Sequence, residues 1–324
     1  MSNKVLKPKK ASLYQFTQKY SNNIDNCIEF FKSMKWPEGF SCDRCGCHKY
    51  YLVKRVGKTK TSYVLECSSC HKQHSLLSGT IFQSCKLDLY KLLLGIFLFF
   101  NENKGISAVD LCSILDVNYK TALLLENKCR ILMSLSNSDK LLNSLFYEAD
   151  VFNIGAKSKN KAGRASEQQP ILGILSTDKE NNYPRFIKLR VITDYTGLSL
   201  KKNIEKCCVL SHDALLNTDG EKGFNTLNEE IQVKNEKISY EEKDHRLLWL
   251  NIIIGNIKNN ITGIYHGITK REMPLFPNEQ EYRFNHRKIG KTIMDKIKKY
   301  LQRSFPISHG QIVYILNISA SHFS

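Results

Sequence analysis

Phe146-Tyr147-Glu148-Ala149-Asp150-Val151-Phe152 is where the chain changes texture. Upstream, from Lys86 to about Leu145, apolar residues recur at spacings of three and four, as in Leu111, Ile114 and Leu115 and again in Leu123, Leu124, Ile131 and Leu132. That is the period of amphipathic helices. From Phe146 onward the apolar residues come in short runs of strand length, over 146–152, 171–175, 186–192 and 209–216, and a helical stretch over 244–261 follows them. Strands succeeded by a long helix, behind a helical front end, predict a multidomain α/β chain with an α/β or α+β catalytic domain in its second half.

Working outward, Trp36-Pro37-Glu38-Gly39-Phe40 closes a helix expected over 13–34, because Pro and Gly stop helical continuation. The resulting division is an N-terminal helical segment (1–40), a cysteine-rich segment (41–85), a helical region (86–145), the strand-rich domain (146–290) and a basic helical C-terminal tail (291–324).

With 324 residues the chain has room for about two domains of ~150 residues. Hydrophobic residues make up 42% and charged residues 24%, a balance that supports a buried core and argues against intrinsic disorder. The 48 Lys and Arg outnumber the 31 Asp and Glu, and a net charge of +17 points to a polyanionic partner, nucleic acid before a membrane surface. The longest apolar run, 92–100, is broken only by Gly95 and is far short of the roughly 20 residues a bilayer span needs. Lys4, Lys7, Lys9 and Lys10 lead into Ser12, Gln15, Thr17 and Gln18 instead of an apolar signal core, so a cytoplasmic location is expected. Eleven cysteines in such a chain argue for reduced thiols and metal ligation over a disulfide framework.

Cys42-Asp43-Arg44-Cys45 and Cys67-Ser68-Ser69-Cys70 form two C-x-x-C knuckles. Each lets two thiolates reach one ion from a tight turn, and four sulfurs in a tetrahedron suit Zn²⁺ at about 2.3 Å. Between them Tyr50-Tyr51-Leu52-Val53 and Tyr63-Val64-Leu65 are β-forming runs able to make the hairpin of a zinc ribbon. Cys47, His48, His71 and His74 lie close enough to compete as ligands, while Cys27, Cys85, Cys112, Cys129, Cys207 and Cys208 read as small core hydrophobes.

Downstream, Ser107 can cap a helix over 108–115, Asp116-Val117-Asn118 forms a turn, and a second helix over 119–133 carries Lys120, Lys128 and Arg130. A helix-turn-helix of this kind places its second helix in the DNA major groove. An ordinary helical hairpin with solvated lysines fits the same spacing.

In the strand-rich half, Asp150 leads to Gly155 and a basic loop with Lys157, Lys159, Lys161 and Arg164, and Asp219 follows Ala214-Leu215-Leu216 and precedes Gly220. Asn251 and Lys258 are seven residues apart and share one face of a helix. Two Asp carboxylates and a third oxygen ligand can hold two Mg²⁺ ions about 3.5 to 4 Å apart for phosphodiester cleavage, and a lysine beside them can hold a phosphate. On position alone a solvated turn or cap residue is the commoner reading of Asp150 and Asp219, and a buried Asn bonded to backbone is the alternative for Asn251.

The order of these parts resembles the bacterial ISXO-like insertion-sequence transposases, a DDE-type family with an RNase H-like catalytic fold. The resemblance runs from Trp36-Pro37-Glu38-Gly39-Phe40 and the four cysteines to Tyr282-Arg283-Phe284-Asn285-His286-Arg287. Its most specific block is Trp249-Leu250-Asn251-Ile252-Ile253-Ile254-Gly255-Asn256-Ile257-Lys258 followed by Gly263-Ile264-Tyr265-His266. Gly155, Gly163 and Arg164 match the family's Gly-rich basic loop, and Thr218-Asp219-Gly220 its second motif. Val151, Asn153 and His286 depart from its usual pattern.

The resemblance implies an RNase H-like catalytic domain behind a zinc ribbon and a helix-turn-helix. It implies a D-D-N-K catalytic set of Asp150, Asp219, Asn251 and Lys258, with the first three on Mg²⁺ or Mn²⁺, and Zn²⁺ on Cys42, Cys45, Cys67 and Cys70. DNA contacts would come from Lys120, Lys128, Arg130, Lys157, Lys159 and Arg164. The expected partners are double-stranded DNA, as terminal inverted repeats and target, and further copies of the chain on that DNA, with no membrane. The expected activity is metal-dependent strand cleavage and transfer on nucleoid DNA. Two other readings stand beside it, a catalytically inactive DNA-binding regulator derived from a transposase and an RNA-processing nuclease.

Overall fold

The computed structural model describes residues 11–57, 61–137, 141–155, 168–178, 183–235, 247–268, 272–287 and 292–314. They fall into two compact units, one built from residues up to Leu135 together with Arg287–Ile312, the other from Ser136–His286.

The first unit opens with two helices, α1 (Leu13–Tyr20) and α2 (Ile24–Lys35), where one helix over 13–34 was expected. The break is local chemistry. Asn23 adopts an extended backbone and its Oδ1 accepts from the Asn26 N–H at 3.2 Å, starting a new helix, while the Asn26 amide donates to the Lys19 carbonyl at the end of the old one. Strands β1 (Tyr50–Val56), β2 (Thr61–Cys67) and β3 (Gln73–Ser75) form an antiparallel three-stranded sheet in that order. Helix α3 (Leu89–Asn101), capped by Asp88, is buried along most of its length. Its Gly95 permits that burial, since a Cβ there would lie 2.5 Å from Leu125 and 2.9 Å from Leu115.

Helices α4 (Ala108–Leu115) and α5 (Tyr119–Asn137) follow the expected capped pair closely. Ser107 Oγ accepts from the Asp110 N–H at 3.1 Å, Asp116 ends α4 in the left-handed region at φ 48°, and Asn118 Oδ1 takes the Thr121 N–H at 2.8 Å. The segment expected as a C-terminal tail holds helix α9 (Ile293–Arg303), which buries Ile293, Ile297, Tyr300 and Leu301 against α2 and α3. Its apolar spacing is that of a core-facing helix.

The second unit is a five-stranded mixed sheet in the order β6-β5-β4-β7-β8. Strands β4 (Phe146–Ile154), β5 (Gln169–Asp178) and β6 (Tyr183–Val191) form an antiparallel meander, and β7 (Leu215–Thr218) and β8 (Gln232–Asn235) run parallel to β4. Of the run expected over 209–216, only its end joins the sheet, in β7. One sheet face packs Tyr147, Ala149, Leu172 and Ile174 against helix α6 (Gly197–Glu205) and a 3-10 turn over Lys222–Leu227. The other packs Phe152, Ile154, Ile171 and Leu175 against α7 (Leu248–Gly263) and Phe276 of α8 (Phe276–Asn285). Edge strand β6 is sealed by α8, for Asn285 bonds both the N–H and the C=O of Ile187 and Glu281 takes the Leu189 N–H. Side chains thereby replace a sixth strand on an edge that would otherwise invite pairing.

Candidate active site and metal centre

Parallel pairing of β4 with β7 sets Ala149 opposite Thr218, so the next residue of each chain segment, Asp150 and Asp219, emerges side by side at the carboxyl end of β7. On the other side of β4, Asp150 pairs with Gly173 of β5. A Cβ on Gly173 would sit 3.3 Å from both Leu250 and Phe152, so glycine keeps the sheet low where α7 crosses the Asp150 face.

Gly220, in the left-handed region at φ 68°, turns the chain directly after Asp219 and brings Glu221 back within electrostatic reach of Asp150. One side chain brackets this turn. Asn235, the last residue of β8, accepts from Thr218 Oγ1 at 2.7 Å and donates to the Glu221 carbonyl at 2.9 Å and to Asn225 Oδ1 at 2.8 Å. Neither Glu221 nor Asn235 was singled out from sequence. Glu221 had a visible signal in the spacing Asp219-Gly220-Glu221, whereas Asn235 acts through strand pairing that a linear pattern does not reveal.

Helix α7 buries Leu250, Ile253, Ile254, Ile257 and Ile261, leaving Asn251 and Lys258 exposed on a shared side. The Lys258 charge acts on Asp150. Asn251 directly follows Leu250, whose N–H donates to Glu148 Oε2 at 2.8 Å. Glu148 is two residues before Asp150 on the same face of β4 and is only 2% exposed.

Burial is the main cause that raises the Asp150 carboxyl to about 6, with the Asp219 and Glu221 charges adding to it and the Val151 N–H and Lys258 opposing. Burial likewise raises Glu148 to about 7, opposed by the Leu250 N–H. The adjacent hard-oxygen carboxylates of Asp150 and Asp219 offer the donor chemistry that a divalent cation takes.

A folded-state pKa raised above the unfolded value means that the native state holds its proton more tightly. The resulting penalty is absent below about pH 4, grows as pH rises through 6, and is complete at neutral pH. Asp150→Asn removes the charge while keeping the shape. Thermal unfolding at pH 7.5 without added Mg²⁺ or Mn²⁺ should show Asp150→Asn more stable than wild type by on the order of 2 kcal/mol. Adding Mn²⁺ should raise the melting temperature of wild type and not of the variant. A variant less stable than wild type in metal-free buffer contradicts this account.

In the first unit the four sulfurs of Cys42, Cys45, Cys67 and Cys70 all lie within 4.8 Å of one another. Cys42–Cys70 is 3.6 Å and Cys45–Cys67 3.5 Å. A tetrahedral ion with bonds of about 2.3 Å requires sulfur separations of roughly 3.8 Å, so the set fits zinc. Cys42, Asp43 and His74 form a second close grouping on one side of it. Buried His74 stands edge-on to Trp36 and Phe40 in the ribbon core.

The α4–α5 pair corrects two expected DNA contacts. Lys128 is 7% exposed, with its ammonium donating to the Ile81 carbonyl at 2.6 Å, and Arg130 is 2% exposed and paired with Glu126 at 2.5 Å. Both charges hold the interior of the first unit together and neither is available to a phosphate. Lys120, on the first turn of α5, is exposed. Lys157, Lys159 and Arg164 lie outside the described residues.

Residues 146–285 match the ISXO2-like transposase domain and residues 23–73 match the transposase zinc-ribbon domain. The first match spans β4 to α8 with all of Asp150, Asp219, Asn251 and Lys258, and the second takes in all four zinc-site cysteines. The chain thus carries an ISXO2-like transposase domain behind a transposase zinc ribbon. A search of curated proteins finds no match. Among the described residues no helix is long and apolar enough to cross a membrane.

Proposed function

We propose that this transposase binds the terminal inverted repeats of its own insertion sequence and catalyses cleavage and transfer of the DNA strand at Asp150, Asp219, Asn251 and Lys258. The observation that carries the reading is the placement of Asp150 on β4 beside Asp219, the residue just past the adjacent parallel strand β7, with the Lys258 charge acting on Asp150 from α7. An antiparallel meander extended by two parallel strands, with helices on both faces, supports an RNase H-like catalytic fold. Asp150, Asp219 and Asn251 would hold Mg²⁺ or Mn²⁺, which would supply Lewis acidity for the attacking water and the leaving 3′-oxygen. Lys258 holds a non-bridging oxygen of the scissile phosphate, and the buried side of Asp150 excludes bulk water from the reacting centre. Hydrolysis frees a 3′-hydroxyl at the element end, and that hydroxyl then attacks a target phosphodiester, forming a new 3′-oxygen–phosphorus bond as the target's own 3′-oxygen leaves and takes up the proton. Asn251 contributes no charge where a carboxylate would, so the site should require more divalent metal than one with three carboxylates. The work is done in the cytoplasm on nucleoid DNA by more than one copy of the chain.

The test is strand cleavage in vitro on DNA that carries the element's own ends, with Mg²⁺ or Mn²⁺. Metal-dependent nicking at the ends is the expected result. Binding of those ends without any nicking favours the inactive-regulator reading.

Binding itself is assigned to the zinc ribbon and to a helix-turn-helix made by α4 and α5, whose second-helix N-terminus reads the groove. Exposed Lys120 sits on that first turn. Lys120→Ala should weaken binding to the terminal repeats and lower the slope of log affinity against log salt by about 1. Fluorescence anisotropy titrations between about 50 and 200 mM salt measure both quantities, and an unchanged slope removes Lys120 from the interface.

A further inference from the structure

Helices α1, α2, α3, α4 and α6 are each capped by a local side chain, from Ser12, Asn23, Asp88, Ser107 and Thr196 respectively. Helix α7 differs. Its N-cap is Leu247, which has no side chain able to cap, and the N–H of its third residue, Leu250, is taken by Glu148 of β4. That third N–H is one of those an N-cap oxygen ordinarily satisfies, so the cap of α7 is delivered from a strand 102 residues away in sequence.

A local Ser or Thr at position 247 would cap the helix without burying a carboxyl group, which is costly when unpaired. What a distant cap adds is a fixed relation between two elements. The bond ties the first turn of α7 to β4 two residues before Asp150, on the same face. Asn251 is the next residue of α7, and Lys258 lies two turns further on. Leu250 itself is fully buried against this face, over Gly173. Rotation or lift of α7 would carry Asn251 and Lys258 away from Asp150 together.

We propose that Glu148 is a positioning residue, which through the Leu250 N–H locks α7 onto β4 and so sets Asn251 and Lys258 against Asp150. The proposal rests on the catalytic reading above for its effect on cleavage, but the lock can be observed separately. Trp249 precedes Leu250 on the same turn and packs beside Tyr183 at 5.7 Å between ring centres. The chain has two tryptophans, so a Trp36→Phe background leaves Trp249 as sole reporter of that turn.

Glu148→Gln keeps an acceptor oxygen without the charge, and Glu148→Met fills the same space with neither. Cleavage and DNA affinity are measured in the full chain with native tryptophans, and acrylamide quenching of Trp249 in the Trp36→Phe background. Glu148→Gln should cleave within severalfold of wild type with unchanged quenching. Glu148→Met should bind DNA ends normally, expose Trp249 to quencher and cut on the order of 10²-fold more slowly, the loss expected of a displacement near 1 Å. Glu148→Met cleaving like wild type overturns the proposal. So does a Gln variant as inactive as the Met variant with Trp249 unchanged in both, because the carboxylate would then act directly. Should Glu148→Met fail to fold, the Gln variant decides alone, supporting the lock by full cleavage and overturning it by loss. If wild type shows no cleavage with any metal, the catalytic reading fails while the quenching comparison still decides whether Glu148 locks α7.

Discussion

Asp150→Ala and Asp219→Ala should each reduce strand cleavage by roughly 10³-fold or more, a loss of about 4 kcal/mol or more in transition-state stabilisation, while leaving affinity for the element's ends near wild type. Asp150 is held in the sheet by its pairing with Gly173, and Asp219 directly follows the last β4–β7 pair, Ala149 with Thr218, so backbone pairing sets the place of both. Removing either carboxylate removes half of the acidic pair proposed to hold the cation. It should not disturb binding, which is assigned to the zinc ribbon and to α4 and α5. Asn251→Ala should cripple cleavage in the same assay, whereas Asn251→Asp should keep activity or lower the metal requirement by restoring charge. Asn256, exposed on α7 five residues beyond Asn251 and about 140° around the helix, is the matched control. Cleavage at wild-type rates by both Asp variants would leave a DNA-binding protein with a catalytic-looking scaffold.

Features encoded by short spacing were legible in the sequence. The two C-x-x-C knuckles, the Ser107 cap, the turn at Asp116 and the strand around Asp150 each depend on residues within a few positions of one another, and each lies where expected. Features that depend on pairing across the fold were not legible. Gly173 opposite Asp150, Asn235 around the Asp219 turn and Glu148 at the start of α7 have their roles only once β5, β8 and α7 are in place.

Lys128 and Arg130 mislead for a related reason. Basic residues on the second helix of a helical pair suggest a DNA-facing surface, but α5 from Leu125 to Met133 is buried continuously. There the charges find a carbonyl and a glutamate inside the unit. A buried ion pair such as Arg130 with Glu126 is costly to break on one side alone, so loss of DNA binding in an Arg130 variant would report on the fold before the interface.

Removal of zinc should have the largest effect on stability. The ribbon is a sheet of three strands, and β1 contributes no buried residue to it. Its apolar interior comes from Phe40, Val64, Leu65 and the rings about His74, with Cys42 and Cys67 buried among them. So small a core does not fold on burial alone, and structural metal supplies about 10 kcal/mol or more in sites of this kind. Elemental analysis should find about one zinc per chain, by the ligand count of a closed four-sulfur site. Cys67→Ser, or chelation of the wild type, should erase hydrogen-exchange protection across β1 to β3 while the amides of β4 to β6 keep theirs, since that sheet has its own two-sided core. End binding should fall with the ribbon, and added Zn²⁺ should restore both in the chelated wild type but not in Cys67→Ser. A purified chain with no zinc and a protected ribbon would show that the four cysteines are only core residues.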